Sequence, residues 1–87
     1  MYTIKFKPEY LRRLEKLDIR VQKRSKKIID KLKYPKKRRY LKKGNPYFVE
    51  ELGQYRILYK LIEIDKIIEL LFIGNHKEYE KLYKNLF

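Results

Sequence analysis

Tyr2-Thr3-Ile4-Lys5-Phe6 alternates apolar and polar side chains and runs towards Pro8. Period two predicts a half-buried strand, and proline suits the first turn of a helix, where its fixed φ fits and its missing N–H is not needed. Leu11, Leu14 and Leu17 mark one helical stripe; Asp18 can cap a second helix, on which Val21, Ser25, Ile28 and Leu32 share a face. These two helices read as a hairpin. Residues 36–43 have no helical period and lie between Pro35 and Gly44-Asn45-Pro46, which predicts a loop. Phe48 to Leu52, Gln54 to Ile62 and Lys66 to Ile73 read as three strands, with short connections at Gly53 and at Glu63-Ile64-Asp65 that imply an antiparallel meander. In the second of these, Tyr55, Ile57, Tyr59 and Leu61 share one face and Arg56, Leu58 and Lys60 the other. The nearly unbroken apolar run Ile67 to Ile73 predicts the most buried strand. After Gly74, the residues Tyr79, Leu82, Tyr83 and Leu86 make His76 to Phe87 a short amphipathic helix.

The order β-α-α-β-β-β-α predicts an α+β fold in one domain spanning residues 1–87. A helix hairpin packs on a small, mainly antiparallel β-sheet, covering one face and leaving the other partly open.

Charge sharpens this picture. Residues 1–43 hold 18 Lys and Arg against 4 acids, and residues 44–87 hold 6 against 7, so the halves carry +14 and −1. A concentration of cations without matching Glu is most simply explained by a polyanionic partner such as nucleic acid, the other reading being a solvated lysine coat. The loop is the densest part: Lys36, Lys37, Arg38, Arg39, Lys42 and Lys43 enclose Tyr40, with Tyr34 and Tyr47 on either side. Aromatic rings among cations can stack unpaired bases while the lysines hold phosphates.

Other chemistries are bounded by absence. The 87 residues include no Cys and one His, so neither a disulfide framework nor a thiolate or His-rich metal site is expected. No glycine-rich phosphate cradle is present, and a chain this short has little interior to spare for an organic cofactor. The longest apolar run is far short of the ~20 residues that span a bilayer, and residues 1–8 lack the apolar core of a secretory signal. The expectation is a mature cytoplasmic protein with no metal and no cofactor.

Leu52-Gly53-Gln54-Tyr55-Arg56-Ile57-Leu58-Tyr59 and Leu71-Phe72-Ile73-Gly74-Asn75-His76-Lys77-Glu78-Tyr79, together with the element order, resemble the RelE/ParE superfamily of toxin–antitoxin toxins. The family's core is a YRI strand followed by an apolar strand that ends in a glycine and a basic residue, then a tyrosine. The resemblance implies the RelE-like microbial ribonuclease fold and, for RelE-like members, ribosome-dependent cleavage of mRNA in the decoding site. ParE-like members instead inhibit DNA gyrase and cut nothing. It further implies a cognate acidic RelB-like antitoxin, in a 1:1 or 2:2 complex, with the ribosome and mRNA as targets. Arg56 corresponds to the strand arginine that contacts the scissile phosphate, His76 falls where the nucleases place an arginine or histidine, and Tyr79 corresponds to the tyrosine after the last strand, with Tyr83 as the alternative. The lysine pair that RelE-like enzymes carry on the preceding strand is replaced by Val49 and Glu51. Lys42 and Lys43 are the nearest substitutes.

Metal-independent RNA cleavage needs a 2′-hydroxyl deprotonated, charge on the phosphorane stabilised and the leaving 5′-oxygen protonated. Arg56 suits the second task, because a guanidinium stays charged and offers two parallel N–H donors; a structural ion pair to Glu50, Glu51 or Glu69 is its other reading. His76 is the one side chain whose ordinary range lies near neutral pH, and neighbouring cations would favour its neutral base form. It can equally be an ordinary histidine after Gly74, and Tyr79 can stack on a base or relay a proton as well as pack the last helix. A non-toxic basic RNA-binding module would use the same cations without the chemistry.

Overall fold

The computed structural model describes residues 1–34 and 47–86. Its elements are β1 (Thr3–Phe6), α1 (Pro8–Glu15), α2 (Ile19–Leu32), β2 (Tyr47–Leu52), β3 (Tyr55–Ile62), β4 (Ile67–Asn75) and α3 (His76–Leu86). The predicted order stands. Pro8 opens α1 and Asp18 caps α2, its Oδ1 accepting from the Arg20 backbone N–H at 2.8 Å.

The four strands form one sheet in the order β1-β4-β3-β2. Leu52 pairs with Tyr55 across the two-residue turn Gly53-Gln54, where Gly53 takes φ +57°, a left-handed conformation that costs glycine little. β3 runs antiparallel to β4, and the register slips after Leu58↔Phe72 to Tyr59↔Leu70, leaving Leu71 as an extra residue in β4. β1 lies parallel on the far side of β4, from Thr3↔Ile67 to Phe6↔Leu70. The sheet is thus mainly antiparallel with one parallel edge. Beyond that short edge the Lys7 N–H donates to the Leu70 carbonyl, and the chain enters α1 alongside the second half of β4.

Tyr10, Ile29, Leu32, Phe48, Leu52, Ile57, Tyr59, Ile68, Leu70 and Ile73 form the core under α1 and α2. The stripe on α1 is rotated from the predicted one: Tyr10 is fully buried with Leu14 and Leu17 packed beside it, whereas Leu11 is 43% exposed. At 100° per residue Tyr10 stands 40° from Leu14 on one side and Leu11 60° from it on the other, so a buried face centred between Tyr10 and Leu14 leaves Leu11 at its edge, and Leu17 follows after the helix has ended. The opposite sheet face is more closed than predicted, since Val49, Leu58 and Phe72 are all buried. α3 packs on β3 and β4. No helix among the described residues is long and apolar enough to cross a membrane.

Tyr10 gives the core a pH dependence. Its hydroxyl meets no hydrogen-bond partner among the described residues, and the nearby Ser25 hydroxyl donates to the Gln22 carbonyl at 2.7 Å. Burial pushes the phenol up to about 12. The unfolded chain therefore releases this proton near pH 10 while the folded chain keeps it, so stability is complete below pH 10 and falls as pH rises to 12, by about 3 kcal/mol in total. Urea unfolding at pH 9 and pH 11.5 should show this loss in the parent chain and a smaller one in Tyr10→Phe; equal losses would assign it to other groups.

Candidate functional site

Arg56 is the second residue of β3, paired with Glu51 on β2 and Gly74 on β4. Directly opposed residues point to the same sheet face, so these three share the face away from α1 and α2. Among the described residues the guanidinium is held by long contacts. Nη1 donates to the Tyr55 and Gly53 carbonyls at 3.3 and 3.4 Å, and Nη2 lies 3.9 Å from Glu51 Oε1. A strong charge-assisted bond would measure about 2.7–2.9 Å. Glu69, another anticipated partner, pairs with Lys7 instead, at 3.3 Å.

Across from Arg56, Gly74 has no room for a side chain. A Cβ there would stand 2.7 Å from Phe72 Cζ and 3.1 Å from Glu78 Oε1. Glycine lets the Phe72 ring and the Glu78 carboxylate close over the strand at this position. Two residues later the chain turns into α3 through a reciprocal cap. Asn75 Oδ1 accepts from the Glu78 N–H at 2.9 Å, and Glu78 Oε1 accepts from the Asn75 N–H at 3.0 Å. This is the capping-box arrangement with asparagine as cap, and it makes His76 the first residue of the helix.

His76 is exposed, with Nε2 2.8 Å from Glu80 Oε1 one turn along α3. Its charged neighbour is thus a carboxylate, where the sequence suggested cations. Tyr79 is half-buried, and its ring centroid lies 6.2 Å from that of Tyr83, so the two candidate tyrosines stand together on the side of α3 that carries His76. The sheet register and the cap therefore place Arg56, His76 and Tyr79 around one corner, where β3 and β4 meet the start of α3.

The nucleic-acid candidates divide differently. Tyr47 is half-buried at the start of β2 opposite Lys60, four residues along the strand from the Glu51–Arg56 row, a run of about 13 Å. Lys36, Lys37, Arg38, Arg39, Tyr40, Lys42 and Lys43 lie outside the described residues. Val49 is buried across from Leu58, and Glu51 faces Arg56 directly, so neither supplies a cation at that corner. Among the described residues no group of three or more His, Cys, Asp or Glu converges to hold a metal ion.

Sequence reasoning missed Arg13. It was one cation among many on α1, yet its guanidinium carbon sits 4.5 Å above the Phe72 ring centroid and Nη1 donates to Glu78 Oε2 at 3.0 Å. The Asn75-x-x-Glu78 spacing was the available signal for the cap. Nothing local announces a contact 65 residues away.

A second surface lies on the other side of the molecule. Phe6, Leu11 and Ile19 are exposed and, with Met1 and Ile4, line an apolar groove of about 750 Å³ between β1 and the helices, which Lys23, Lys26 and Lys33 also line.

No protein-family model matches the chain, and no curated protein matches it in sequence. Solved structures do match. A chain of the intact E. coli RelBE toxin–antitoxin complex aligns with a TM-score of 0.78 at 19% identity, over 86% of this chain and 96% of that one. The isolated E. coli RelE toxin gives 0.71 at 19% identity, with 100% of both chains covered. A chain of the archaeal RelE–RelB complex from Pyrococcus horikoshii gives 0.72 at 23% identity, over 85% of this chain and 93% of that one. The chain has the RelE fold.

Proposed function

We propose that this protein is the toxin of a toxin–antitoxin pair, a RelE-like, metal-independent endoribonuclease that cleaves translated mRNA in the ribosomal decoding site. The observation that carries the reading is Arg56, whose contacts among the described residues are long, opposite a glycine and beside the helix start that bears His76, on a RelE fold. In this reading the guanidinium binds the non-bridging oxygens of the scissile phosphate and stabilises the charge that grows there as the 2′-oxygen attacks. His76 takes or gives one of the two protons in transit, and Glu80 orients its imidazole. Tyr79 or Tyr83 stacks on a neighbouring base. The cations of residues 36–43 hold phosphates, and Tyr40 and Tyr47 stack on bases.

The apolar groove supports the second half of the proposal, a RelB-like antitoxin that assembles 1:1 or 2:2 with the toxin. An amphipathic helix with acidic flanks would bury its apolar stripe on Phe6, Leu11 and Ile19 and meet the lysines with its flanks. One observation favours the gyrase-directed alternative. Val49 and Glu51 stand where RelE-like nucleases carry lysines, and Glu51 faces the arginine itself.

Primer extension on a translated message, before and after induced expression, separates the readings. New 5′ ends within the coding region support the nuclease. Intact mRNA with altered plasmid supercoiling would assign the ParE-like activity, and growth unaffected with mRNA intact would leave a basic RNA-binding module. Within the nuclease reading, His76→Ala should slow cleavage by about 10–10²-fold and change the pH profile, because one proton carrier is lost while other groups can partly replace it. Wild-type rates with an unchanged profile would remove His76 from the site.

A further inference from the structure

We propose that Arg13 is a positioning residue: acting through Glu78, it holds the Asn75–His76 corner of β4 and α3 in place beside Arg56. Its consequence for cleavage rests on the nuclease reading above; the positioning itself does not.

Glu78 is divided between two donors, Oε1 accepting from the Asn75 N–H and Oε2 from Arg13 Nη1. Arg13 is divided as well, since Nε donates to Glu9 Oε1 at 2.9 Å while the guanidinium carbon sits over the Phe72 ring. Phe72 in turn folds against Gly74, the residue opposite Arg56. One side chain of α1 thereby touches both the carboxylate that caps α3 and the ring that shapes the strand before it. A lone exposed ion pair contributes little, but this one coincides with a cation–π contact and a helix cap. Lysine could not reproduce it, because the arrangement uses two different nitrogens of one guanidinium to reach Glu9 and Glu78 while its carbon lies over a ring. Without the Arg13 bond the Glu78 carboxylate can rotate to solvent and release the Asn75 N–H. His76, the next residue, then loses its fixed direction relative to Arg56.

The test compares the parent chain with Arg13→Gln, Glu78→Gln and the double variant. In Glu78→Gln the side-chain amide oxygen can still accept from Asn75, but the charge that draws Arg13 is gone. Amide hydrogen exchange at Asn75 should quicken about tenfold in Arg13→Gln, and kcat for mRNA cleavage should fall about tenfold at unchanged KM, with thermal unfolding little altered. Once Glu78→Gln is in place, adding Arg13→Gln should change neither readout further. Unchanged exchange at Asn75, or additive effects of the two substitutions, would overturn the proposal. If the parent chain cleaves no message, the nuclease reading fails and the exchange data alone decide the role of Arg13.

Discussion

Arg56→Ala is expected to reduce mRNA cleavage by about 10²–10³-fold, the usual cost of one preorganised donor to a developing oxyanion, while leaving the protein folded. The two halves of this expectation come from different features. The chemical half rests on a guanidinium whose contacts to Gly53, Tyr55 and Glu51 are all long, so that little has to be broken before it engages a phosphate. The structural half rests on its face of the sheet. Arg56 points away from the core, which contains its neighbour Ile57 and against which Tyr55 packs, and its side chain keeps 20% of its surface exposed. Removing a long, partly exposed contact to Glu51 should cost roughly 1 kcal/mol or less. Cleavage assays and thermal unfolding of the same preparation check both halves. Arg56→Lys should recover only part of the activity, because a point charge cannot make two parallel bonds to a phosphate. A variant that is inactive because it is unfolded would make Arg56 a structural residue.

The largest stability effect should come from the other face. Phe48 is buried on β2 and stacks on Tyr59 of β3, with ring centroids 5.6 Å apart and planes within 13°. Phe48→Ala removes the ring and leaves a cavity, at a cost of about 3–5 kcal/mol. A chain of this length is expected to have only about 4–13 kcal/mol in total. The variant should therefore lose roughly a quarter of its stability or more, and unfold near physiological temperature if the parent lies at the low end of that range. Urea unfolding followed by far-ultraviolet circular dichroism should show a lower midpoint at an unchanged slope. A loss under about 1 kcal/mol would mean that the β2–β3 face is not the core described above.

Local pattern carried most of this fold. Period two placed Arg56 on the face opposite Ile57 and Tyr59 without any knowledge of neighbours, and Pro8 and Asp18 marked two helix starts through backbone chemistry that acts within a turn. What local pattern could not supply was partnership across the chain. The alternation in residues 2–6 signals a strand but not that it lies parallel to β4, because that choice depends on where the rest of the chain goes. The extra residue at Leu71 was hidden inside the apolar stretch Leu70 to Ile73, where a shift of register leaves no polar residue on the wrong side to reveal it. On α1 the leucine spacing points past Tyr10, a residue with a polar hydroxyl that is nonetheless the most buried position of the helix.

The candidate site was legible to the same degree. Arg56, His76 and Tyr79 follow from two short motifs, and the register of β3 with β4 joins those motifs at one corner. The cap that fixes His76 was readable from Asn75 and Glu78, which lie three residues apart. Arg13 was not, since its importance comes from a ring and a carboxylate supplied by β4 and α3.

The most direct test of ribosome-dependent cleavage by Arg56 uses a reconstituted system. The purified protein is incubated with one defined mRNA, with and without programmed ribosomes, and the 5′ ends are mapped. Cleavage is expected in the ribosome-bound message, absent without ribosomes and lost in Arg56→Ala. An intact message under all conditions, or equal cleavage by Arg56→Ala, would contradict it.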